Sequence, residues 1–293
     1  MRSFHHAEFP ADRLRAARVE TVSVCVPARE EAATIAGVVG PLIALREAGV
    51  VDQVLVLDDD SRDGTGAIAA ALGAEVVRPA ALLPAFGPVL GKGDAMWRAL
   101  SALTSDLVCF VDADSEDFGA HFATGLLGPL ICEPDVQFVK GFYRRPFKSG
   151  PERVDPTGGG RVTELIARPL LAAFYPELAD VRQPLAGEFA ARRDLFERMA
   201  FCTGYAVEIG LLLDIAAASG AGIRAIAQVD LDVRQNRHRP LAELAPMSAA
   251  VLAAVTCRLR REGRLAAGAA SYEGPELLER PPLAELRALR DVR

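Results

Sequence analysis

The chain has 293 residues, 51% of them hydrophobic and 25% charged, with 33 lysines and arginines against 39 aspartates and glutamates. This composition is that of a globular protein with a hydrophobic core, so it excludes a disordered chain, a collagen and a disulfide scaffold. The formal net charge of −6 excludes a general nucleic-acid binder, and any anionic ligand must be held by a local basic cluster.

The ends and the cysteines of the chain predict where it resides. Residues 1–18 are charged throughout and lack an apolar stretch with a cleavage site, so we predict a loose N-terminal arm and no secretion signal. The five scattered cysteines, with no C-x-x-C pair, are typical of reduced cytoplasmic thiols and indicate no zinc site. The longest apolar stretches, such as 209–218, are broken by charge and are too short to span a membrane. We therefore predict a cytoplasmic protein without a membrane span.

The first half of the chain alternates strands with helices. VETVSVCVPA predicts a buried strand, and 30–47 predicts a helix with its apolar residues on one face. VDQVLVLDDD then predicts a strand, 64–72 a helix, AEVVRP a strand, 92–103 a helix and DLVCFVDADS a strand. This alternation predicts an α/β fold with a mostly parallel sheet between helices, where ligands bind beyond the carboxyl ends of the strands.

The second half of the chain is mixed. After the strand VQFVKGFYRRP, the segment 148–160 is rich in glycine, proline and charge and predicts a loop or subdomain boundary. We then predict a helix over 161–174 kinked at Pro169, a pair of short strands near 183–191, helices near 194–199 and 206–219, a strand in GIRAIAQVDLDV, and a helix over 241–262. The predicted regions are an arm (1–18), a donor-binding region (19–147), an acceptor-binding and catalytic region (148–262) and a polar tail (263–293).

Two acidic clusters lie at the predicted carboxyl ends of strands. Asp112 and Asp114 follow the apolar run VCFV, and two carboxylates there are costly to bury without a cation. Their oxygens suit Mg²⁺ or Mn²⁺, which also bridge to substrate phosphates. The run 58–60 ends the neighbouring strand, where Asp59 is placed to bond a nucleobase or a ribose. The alternative for both clusters is ordinary turn and helix-capping chemistry.

Two glycine-containing motifs resemble nucleotide-binding signatures but fail on inspection. Residues 64–69 match G-x-G-x-x-A, yet no acid ends a strand about 20 residues later, so we do not expect NAD binding. GPVLGKGD lacks the spacing and the Ser or Thr of a P-loop. Lys92 nevertheless lies between glycines at a helix N-terminus, where a diphosphate is favoured. A surface lysine in a turn is the alternative.

Two basic segments follow in the second half. The three glycines at 158–160 precede Arg161 and Thr163 at a predicted helix N-terminus, and this composition indicates a nest for a phosphorylated carboxylic acid. A flexible linker with a helix cap is the alternative. The segment 232–240 concentrates arginines, Asn236 and His238, which indicates phosphate or metal binding or, alternatively, a solvated basic loop.

These motifs occur together, in a fixed order, along residues 22–247: VSVCVPAREEAATI, VLVLDDDSRDGT, GKGDAMWRAL, CFVDADS, VKGFYRRPF, GGGRVTELIARPLL, QPLAGEFAARR, GYAVEIGLL and VRQNRHRPL. In this set the chain resembles the glucosyl-3-phosphoglycerate synthases. The resemblance implies the GT-A nucleotide-sugar transferase fold, a homodimer, and retaining transfer of glucose from UDP-glucose to the 2-hydroxyl of D-3-phosphoglycerate with a divalent metal, Mg²⁺ or Mn²⁺.

Three alternatives to this function remain. The first is a mannosyl-3-phosphoglycerate synthase that uses GDP-mannose, or a synthase that accepts both sugars. The second is a sugar nucleotidyltransferase, although VPAREEA stands where such enzymes have a glycine-rich loop bearing arginine. The third is a non-enzymatic module that binds nucleotide sugars, although such a module does not need the anion nest at 158–163.

The resemblance also implies roles for individual residues. Arg234, Lys92, Glu208 and Asp114 are the expected catalytic residues, and Asp112 and Asp114, with His238 or Asn236, the expected metal ligands. The expected acceptor-binding residues are Gly160, Arg161, Val162, Thr163, Asn236 and His238. The expected donor-binding residues are Pro27, Ala28, Arg29, Glu31, Asp59, Lys92, Asp112, Ala113, Tyr205, Glu208 and Arg234.

The chain departs from the family pattern at two places. The family has Asn in its first motif where this chain has Glu30. Many members read V-R-E-H-R-N-R-P, with the histidine on the metal and the asparagine on the acceptor, whereas Asn236 and His238 are exchanged here. Positions two apart in an extended segment face the same way, so we expect one of the two to complete the metal site.

Overall fold

The computed structural model describes residues 1–148, 154–155, 158–218, 222–235, 240–265 and 276–291. Its strands are Arg2–His5 (β1), Val22–Ala28 (β2), Gln53–Asp58 (β3), Glu75–Val77 (β4), Leu107–Phe110 (β5), Phe138–Arg144 (β6), Phe147–Lys148 (β7), Val154–Asp155 (β8), Phe189–Arg192 (β9), Phe201–Cys202 (β10), Ile226–Val233 (β11) and Glu279–Arg280 (β12). Its α-helices are Ala11–Ala17 (α1), Ile35–Glu47 (α2), Thr65–Ala71 (α3), Lys92–Ala99 (α4), Ala120–Cys132 (α5), Arg168–Phe174 (α6), Arg193–Glu197 (α7), Val207–Ala218 (α8), Leu241–Arg261 (α9) and Leu283–Asp291 (α10).

An eight-stranded sheet organises the fold, in the order β1-β11-β6-β9-β5-β2-β3-β4. Its strands pair in parallel except β9, which runs antiparallel between β5 and β6. The predicted α/β fold with a mostly parallel sheet is therefore confirmed. The predicted strand pair near 183–191 is wrong, because residues 183–186 form a turn and only β9 follows it. Since Phe189 and Ala190 are fully buried, β9 belongs in the middle of the large sheet.

The core has two halves, one on each face of the sheet. Trp97, Phe110 and Phe196 pack on one face, and α2 and α5 cover the other with residues such as Val39 and Phe122. All four residues of β5 are fully buried, as expected for a strand covered by helices on both sides. Each large apolar side chain buried in this way contributes about 1.5–3 kcal/mol to stability.

The N-terminal residues are docked, so the predicted loose arm is wrong. β1 extends the sheet by pairing with β11, with Arg2 opposite Ala227 and His5 opposite Asp230. Phe9 is fully buried over α5, at a position where a Cβ on Gly128 would collide with its ring. The charges in residues 1–18 suggested a free arm, but burial of the Phe9 ring anchors this segment to the protein.

Two helix boundaries differ from the predicted ones in a way that shapes the cavity. α2 begins at Ile35 and not at residue 30, because side chains of Ser61, Thr65 and Asp63 accept hydrogen bonds from backbone amides of residues 30–32 and hold them as a loop. The predicted helix over 161–174 contains a π-helical segment, Thr163–Ala167, directly before α6. Pro169 has no N–H for the carbonyl four residues earlier, and this accounts for the irregular turn.

Helix α9 is the helix of the described residues whose length and apolarity would allow it to cross a membrane. One such helix is weak evidence for a span, and 28% of its apolar window is buried inside the protein. It packs against α8, and its Arg258 donates to the carboxylate of Asp214 at 2.5 and 2.9 Å. A buried ion pair of this kind is typical of a helix that packs onto a protein core.

Candidate active site

The main cavity opens at the carboxyl ends of β2, β3 and β5, where the sequence placed the ligands. It has a volume of about 600 Å³. The parallel sheet brings Ala28, Asp59 and Asp112 to its floor, and the segment at 159–163 forms part of its wall. Cavities of this size, lined by apolar surface with a few convergent charges, are the usual form of small-molecule sites.

A buried ion cluster lies at the centre of the cavity. The Lys92 ammonium, on the first residue of α4, is 2.6 Å from Asp112 Oδ1 and 2.8 Å from Glu208 Oε1. Burial alone lowers the pKa of Lys92, but the charges of Asp112 and Glu208 outweigh it, so the pKa is raised. Glu208 lies in the first turn of α8, where the helix dipole favours a negative charge. Lys92 is therefore held as a cation inside the cavity.

Arg234 closes the cluster from the opposite side. Its Nη1 is 3.2 Å from Asp112 Oδ2 and its Nη2 is 2.5 Å from Asp114 Oδ1. Although burial raises the pKa of Asp112, the charges of Lys92 and Arg234 prevail and hold that pKa well below its usual range. Burial of the Asp112 and Asp114 carboxylates without a cation would cost free energy. In the structure, the charges of Lys92 and Arg234 balance them.

Two residues that the sequence reasoning missed support Arg234 from behind. The buried Glu188 carboxylate forms an ion pair with Arg234 Nη1 at 2.9 Å and accepts from the Tyr143 hydroxyl at 2.7 Å. That hydroxyl also accepts from Arg234 Nη1 at 2.8 Å. Burial raises the pKa of Glu188. A lone acid in the otherwise small and apolar run LAGEFAA was the available signal, since such an acid is buried only with a partner.

Lys140 is a second missed charge beside the cavity. It is fully buried in β6, where its ammonium donates to the Ala186 carbonyl at 2.5 Å and lies 5.0 Å from the centre of the Phe189 ring. Burial lowers the pKa of Lys140 to about 8, partly offset by the charges of Glu208 and Glu188. Its bond to Ala186 fixes the turn that leads into Glu188.

The acidic run 58–60 divides into three different roles. Asp58 accepts from the Ser61 amide at 3.1 Å and shapes the loop after β3. Asp59 lines the cavity, 3.3 Å from Arg29. Asp60 points into solvent with a left-handed backbone (φ 62°). Of the three, Asp59 is the one that lines the cavity.

The glycine-rich segment, residues 159–163, forms part of the wall of the cavity. Gly160 has φ +75°, and a Cβ on Gly159 would lie 2.5 Å from the Arg145 Cβ, so both positions require glycine. Arg161 and the buried Thr163 follow at the start of the helical segment and line the cavity. The glycine backbone, Arg161 and Thr163 therefore border one space, which is the composition of an anion site.

The cavity brings together every predicted site residue that the structure describes. His238 and Asn236 lie outside the described residues. The residues that line the cavity are Pro27, Ala28, Arg29, Glu31, Asp59, Lys92, Asp112, Ala113, Asp114, Gly160, Arg161, Val162, Thr163, Tyr205, Glu208 and Arg234.

The carboxylate ligands at the cavity floor fit a hard divalent cation. Asp112 and Asp114 present carboxylate oxygens, which are the preferred ligands of Mg²⁺ and Mn²⁺. Both side chains remain partly exposed to the cavity, at 22% and 28%. Arg234 Nε, beside them, is a buried polar atom without a hydrogen-bond partner among the described residues. The site is thus polar, accessible and strongly charged.

Comparisons with known proteins agree with one another. The family model for glycosyl transferase family 2 matches residues 23–158. The glucosyl-3-phosphoglycerate synthase of Mycolicibacterium smegmatis is 48% identical over 258 residues, which are 87% of this chain and 84% of that protein. The enzyme of the same description from Petrotoga mobilis is 40% identical over 90% of this chain and 82% of its own.

Two solved structures superpose on almost the whole fold. Mannosyl-3-phosphoglycerate synthase from Rubrobacter xylanophilus has a TM-score of 0.88 at 46% identity and covers 97% of each chain. Glucosyl-3-phosphoglycerate synthase from Mycobacterium tuberculosis, in complex with Mn²⁺, UDP-glucose and phosphoglyceric acid, has a TM-score of 0.84 at 42% identity. That match covers 98% of this chain and 99% of the other.

Proposed function

This chain belongs to the glucosyl-3-phosphoglycerate synthase family, and on that premise we propose that it transfers glucose from UDP-glucose to the 2-hydroxyl of D-3-phosphoglycerate. The products are glucosyl-3-phosphoglycerate and UDP, and the reaction uses a divalent metal. The fold is the GT-A glycosyltransferase fold. The sequence-based identification of the family and of the fold is confirmed.

One observation supports the proposal: a single cavity is lined by the residues that we assign to the nucleotide sugar, by those that we assign to the acceptor anion and by the ion cluster. We assign Ala28 and Asp59 to the donor and Arg161 and Thr163 to the acceptor, and all four line the same cavity as Lys92. The relative from M. tuberculosis was solved with a metal, UDP-glucose and phosphoglyceric acid together. A module that only senses nucleotide sugars does not need the second anion site.

The ion cluster is suited to stabilising a leaving diphosphate. A divalent metal held by Asp112 and Asp114 supplies Lewis-acid charge to the departing UDP when it is bound. Lys92 and Arg234 add two fixed cations next to the same position. Because both cations are anchored by protein carboxylates, they need little reorganisation when charge develops on the diphosphate.

The nest at 159–163 is suited to a phosphorylated carboxylic acid. Arg161 and Thr163 line the cavity, and a guanidinium and a hydroxyl are donors suited to the phosphate and carboxylate of 3-phosphoglycerate. These contacts hold the 2-hydroxyl against the donor sugar. Positioning of this kind replaces an encounter in solution with a reaction between two bound groups.

Front-face attack is the mechanism that we favour for retention. The acceptor oxygen bonds to the anomeric carbon on the face that the diphosphate leaves, and the hydroxyl proton passes to the leaving phosphate oxygen. The alternative uses Glu208 as a nucleophile, but its Oε1 is already bonded to Lys92 at 2.8 Å, which lowers its nucleophilicity. In our proposal Glu208 and Tyr205 hold glucose hydroxyls. A Glu208→Gln variant with near-normal turnover would exclude the covalent route.

The remaining metal ligand comes from the segment beyond Arg234. We assign it to His238 or Asn236, as the family motif implies. Variants His238→Ala and Asn236→Ala that both retain normal metal dependence would refute this assignment.

The test of the proposed function is a matrix of substrates. UDP-glucose, GDP-glucose and GDP-mannose are each incubated with D-3-phosphoglycerate, with Mn²⁺ or EDTA, and free nucleotide and glycosyl phosphoglycerate are measured by mass spectrometry. We expect product only with both metal and acceptor present. Nucleotide release without glycosylated acceptor would show that the nest at 159–163 serves another anion.

A second candidate donor is GDP-mannose. The match to the mannosyl-3-phosphoglycerate synthase of R. xylanophilus, at a TM-score of 0.88, favours keeping it. The two activities differ only in contacts to the base and the sugar, so the donor cells of the matrix decide between them. More product from GDP-mannose than from UDP-glucose would assign the chain to mannosyl transfer.

The assembly and location of the protein are proposed from the family resemblance. We expect a homodimer in the cytoplasm, in keeping with five free cysteines. Burial raises the pKa of the Cys25 and Cys109 thiols, so both stay protonated and unreactive. Sedimentation equilibrium of the full chain measures the oligomeric state, and a monomer at micromolar concentration would refute the dimer.

A further inference from the structure

Three of the four histidines in the chain meet at one edge of the main sheet. His6 Nε2 lies 2.6 Å from Asp232 Oδ2, and His5 Nε2 lies 3.4 Å from Asp232 Oδ1. The His121 ring packs on His6 with 4.6 Å between centroids. Ligand atoms of His5, His6 and Asp232 all lie within 4.8 Å of one another. Neither the donor side nor the acceptor side of the cavity uses these residues.

The fold brings this group together from distant parts of the chain. β1 ends at His5 opposite Asp230, so the two histidines arrive at the end of β11. The pairing of β11 with β6 is interrupted by a bulge between Asp230 and Val233. Within the bulge Asp232 has φ +67°, which is rare outside glycine. The bulge redirects the Asp232 side chain towards the end of β1, and it is that carboxylate which both histidines contact.

We propose that His5, His6 and Asp232 form a binding site for a transition-metal ion, with Zn²⁺ as the best-fitting ion. Two imidazole nitrogens and one carboxylate oxygen are a typical three-ligand set for zinc, with a fourth position open to water. The site differs in chemistry from the oxygen-only pair Asp112 and Asp114, which suits Mg²⁺ or Mn²⁺.

The site is accessible to an ion from solvent. The side chains of His5 and Asp232 are 45% and 47% exposed, and that of His6 is 18% exposed. Metal binding through His6 replaces the proton that it now shares with Asp232. The His121 ring packs on the His6 ring, and its nitrogens are not among the ligand atoms that lie within 4.8 Å of one another.

Binding requires one local rearrangement, at His5. Its Nδ1 now accepts from the Ala7 amide at 3.2 Å, which places the ring proton on Nε2. A metal on Nε2 moves that proton to Nδ1, and the bond from Ala7 is lost. That bond is long and exposed to solvent, so water can replace it. The ion then ties β1 to the bulge that precedes Arg234.

The experiment uses the untagged full chain, because polyhistidine tags bind the same ions. Excess Mg²⁺ is added first to occupy the carboxylate pair, and Zn²⁺ is then titrated by calorimetry and counted by elemental analysis after gel filtration. We expect about one zinc per chain and a rise in the melting temperature, since an ion that binds only the folded state stabilises it. His6→Phe and Asp232→Asn should weaken zinc binding on the order of tenfold or more.

Matched variants separate this site from the catalytic one. His121→Phe keeps the aromatic contact without ring nitrogens and should bind zinc as the parent does. Asp114→Asn removes a catalytic metal ligand and should also bind zinc as the parent does. The zinc test is therefore independent of the proposed function. The near-isosteric Asp232→Asn, checked by circular dichroism, decides the result if His6→Phe does not fold.

Three results would overturn the proposal. The first is zinc binding that is unchanged in a folded Asp232→Asn variant, and the second is zinc binding that is lost in Asp114→Asn. The third is a parent chain that takes up no zinc at micromolar concentrations.

Discussion

Helix α4 takes part in two buried ion clusters that serve different purposes. At its first residue, Lys92 joins Asp112 and Glu208 in the cavity. Two residues later, Asp94 turns away and accepts from Arg98 at 3.1 Å and from Arg280 at 2.8 Å. Both clusters bury charge, yet only the first borders a space large enough for a ligand.

The two clusters differ in how completely the protein satisfies them. Asp94 and Arg98 are fully buried, and Arg98 donates to backbone carbonyls of Leu82 and Gly87. Burial raises the pKa of Asp94, but bonds from Arg280, Leu90 and Arg98 lower it more. In the cavity, by contrast, Lys92 and Asp112 stay about a quarter exposed. Buried charge by itself therefore does not mark an active site, whereas buried charge that still faces open space does.

Removal of a cavity carboxylate should produce the largest effect on activity. Asp114→Asn should lower kcat/KM by about 10²–10³-fold, because the metal and Arg234 lose the charge that they share. Its melting temperature should change little. The matched control is Asp60→Asn, whose exposed side chain does not line the cavity. Steady-state kinetics and thermal melts measure the activity and stability of both variants. An Asp114→Asn variant with more than a tenth of the parent activity would contradict the distinction between the two clusters.

The opposite outcome is expected in the closed cluster. Asp94→Ala should lower the free energy of unfolding by about 3–5 kcal/mol, because it leaves Arg98 and Arg280 buried without their counter-ion. Activity per folded molecule should stay near that of the parent. Asp194→Ala, which breaks an exposed pair with Arg198, is the control and should cost at most about 1 kcal/mol.

Urea denaturation measures the free energy of unfolding of each variant, and turnover is expressed per folded molecule. A stable Asp94→Ala variant with greatly reduced turnover would show that the closed cluster is itself part of the active site.

The stabilising effect of Asp94 also has a predicted pH dependence. Because its folded pKa is depressed, the contribution is present above the unfolded value of about 3.9 and is lost as pH falls through the folded pKa.

Glu188 tests the boundary between the two kinds of cluster, because it is fully buried but holds a cavity residue. Glu188→Gln keeps the shape and a partner for Tyr143 but removes the charge that faces Arg234. We expect kcat to fall by about ten- to a hundredfold, with a smaller change in the KM for 3-phosphoglycerate. Glu188→Ala should be worse in activity and in stability. Equal kcat in the parent and in Glu188→Gln would show that Arg234 is positioned without this contact.

The smallest effect is expected at the wall of the cavity. Arg161→Gln should raise the KM for 3-phosphoglycerate about tenfold, the equivalent of one charge-assisted hydrogen bond, and leave the KM for UDP-glucose near that of the parent. Initial rates with each substrate varied in turn separate the two constants. A shift confined to UDP-glucose would place the nest on the donor side and contradict the assignment of the two halves.

The sequence could predict what depends on local pattern. Alternating strands and helices place Asp59, Asp112 and Lys92 at one edge of a parallel sheet, and the family motifs add Glu208 and Arg234. The position of β9 between β5 and β6 depends on pairing between residues far apart in the chain, so Glu188 was missed. The docking of β1 and of residues 276–291 was missed for the same reason.

The tail illustrates why such contacts escape sequence reasoning. Its Arg280 looks like one charge in a polar segment, yet it reaches Asp94 and packs over the Trp97 ring at 5.7 Å. The Trp97 indole in turn donates to the Pro281 carbonyl at 2.8 Å. These partners lie more than 180 residues away in sequence. Only the folded chain shows that the tail closes the second cluster.

The most direct test of the account is the stereochemistry of a single reaction. UDP-glucose labelled with ¹³C at the anomeric carbon is incubated with D-3-phosphoglycerate and Mn²⁺, and the product is followed by NMR. We predict α-linked glucosyl-3-phosphoglycerate, with the donor configuration retained and no product in EDTA. Inverted β-linked product, or free glucose and UDP without transfer, would contradict the assignment of one cavity to donor, metal and acceptor together.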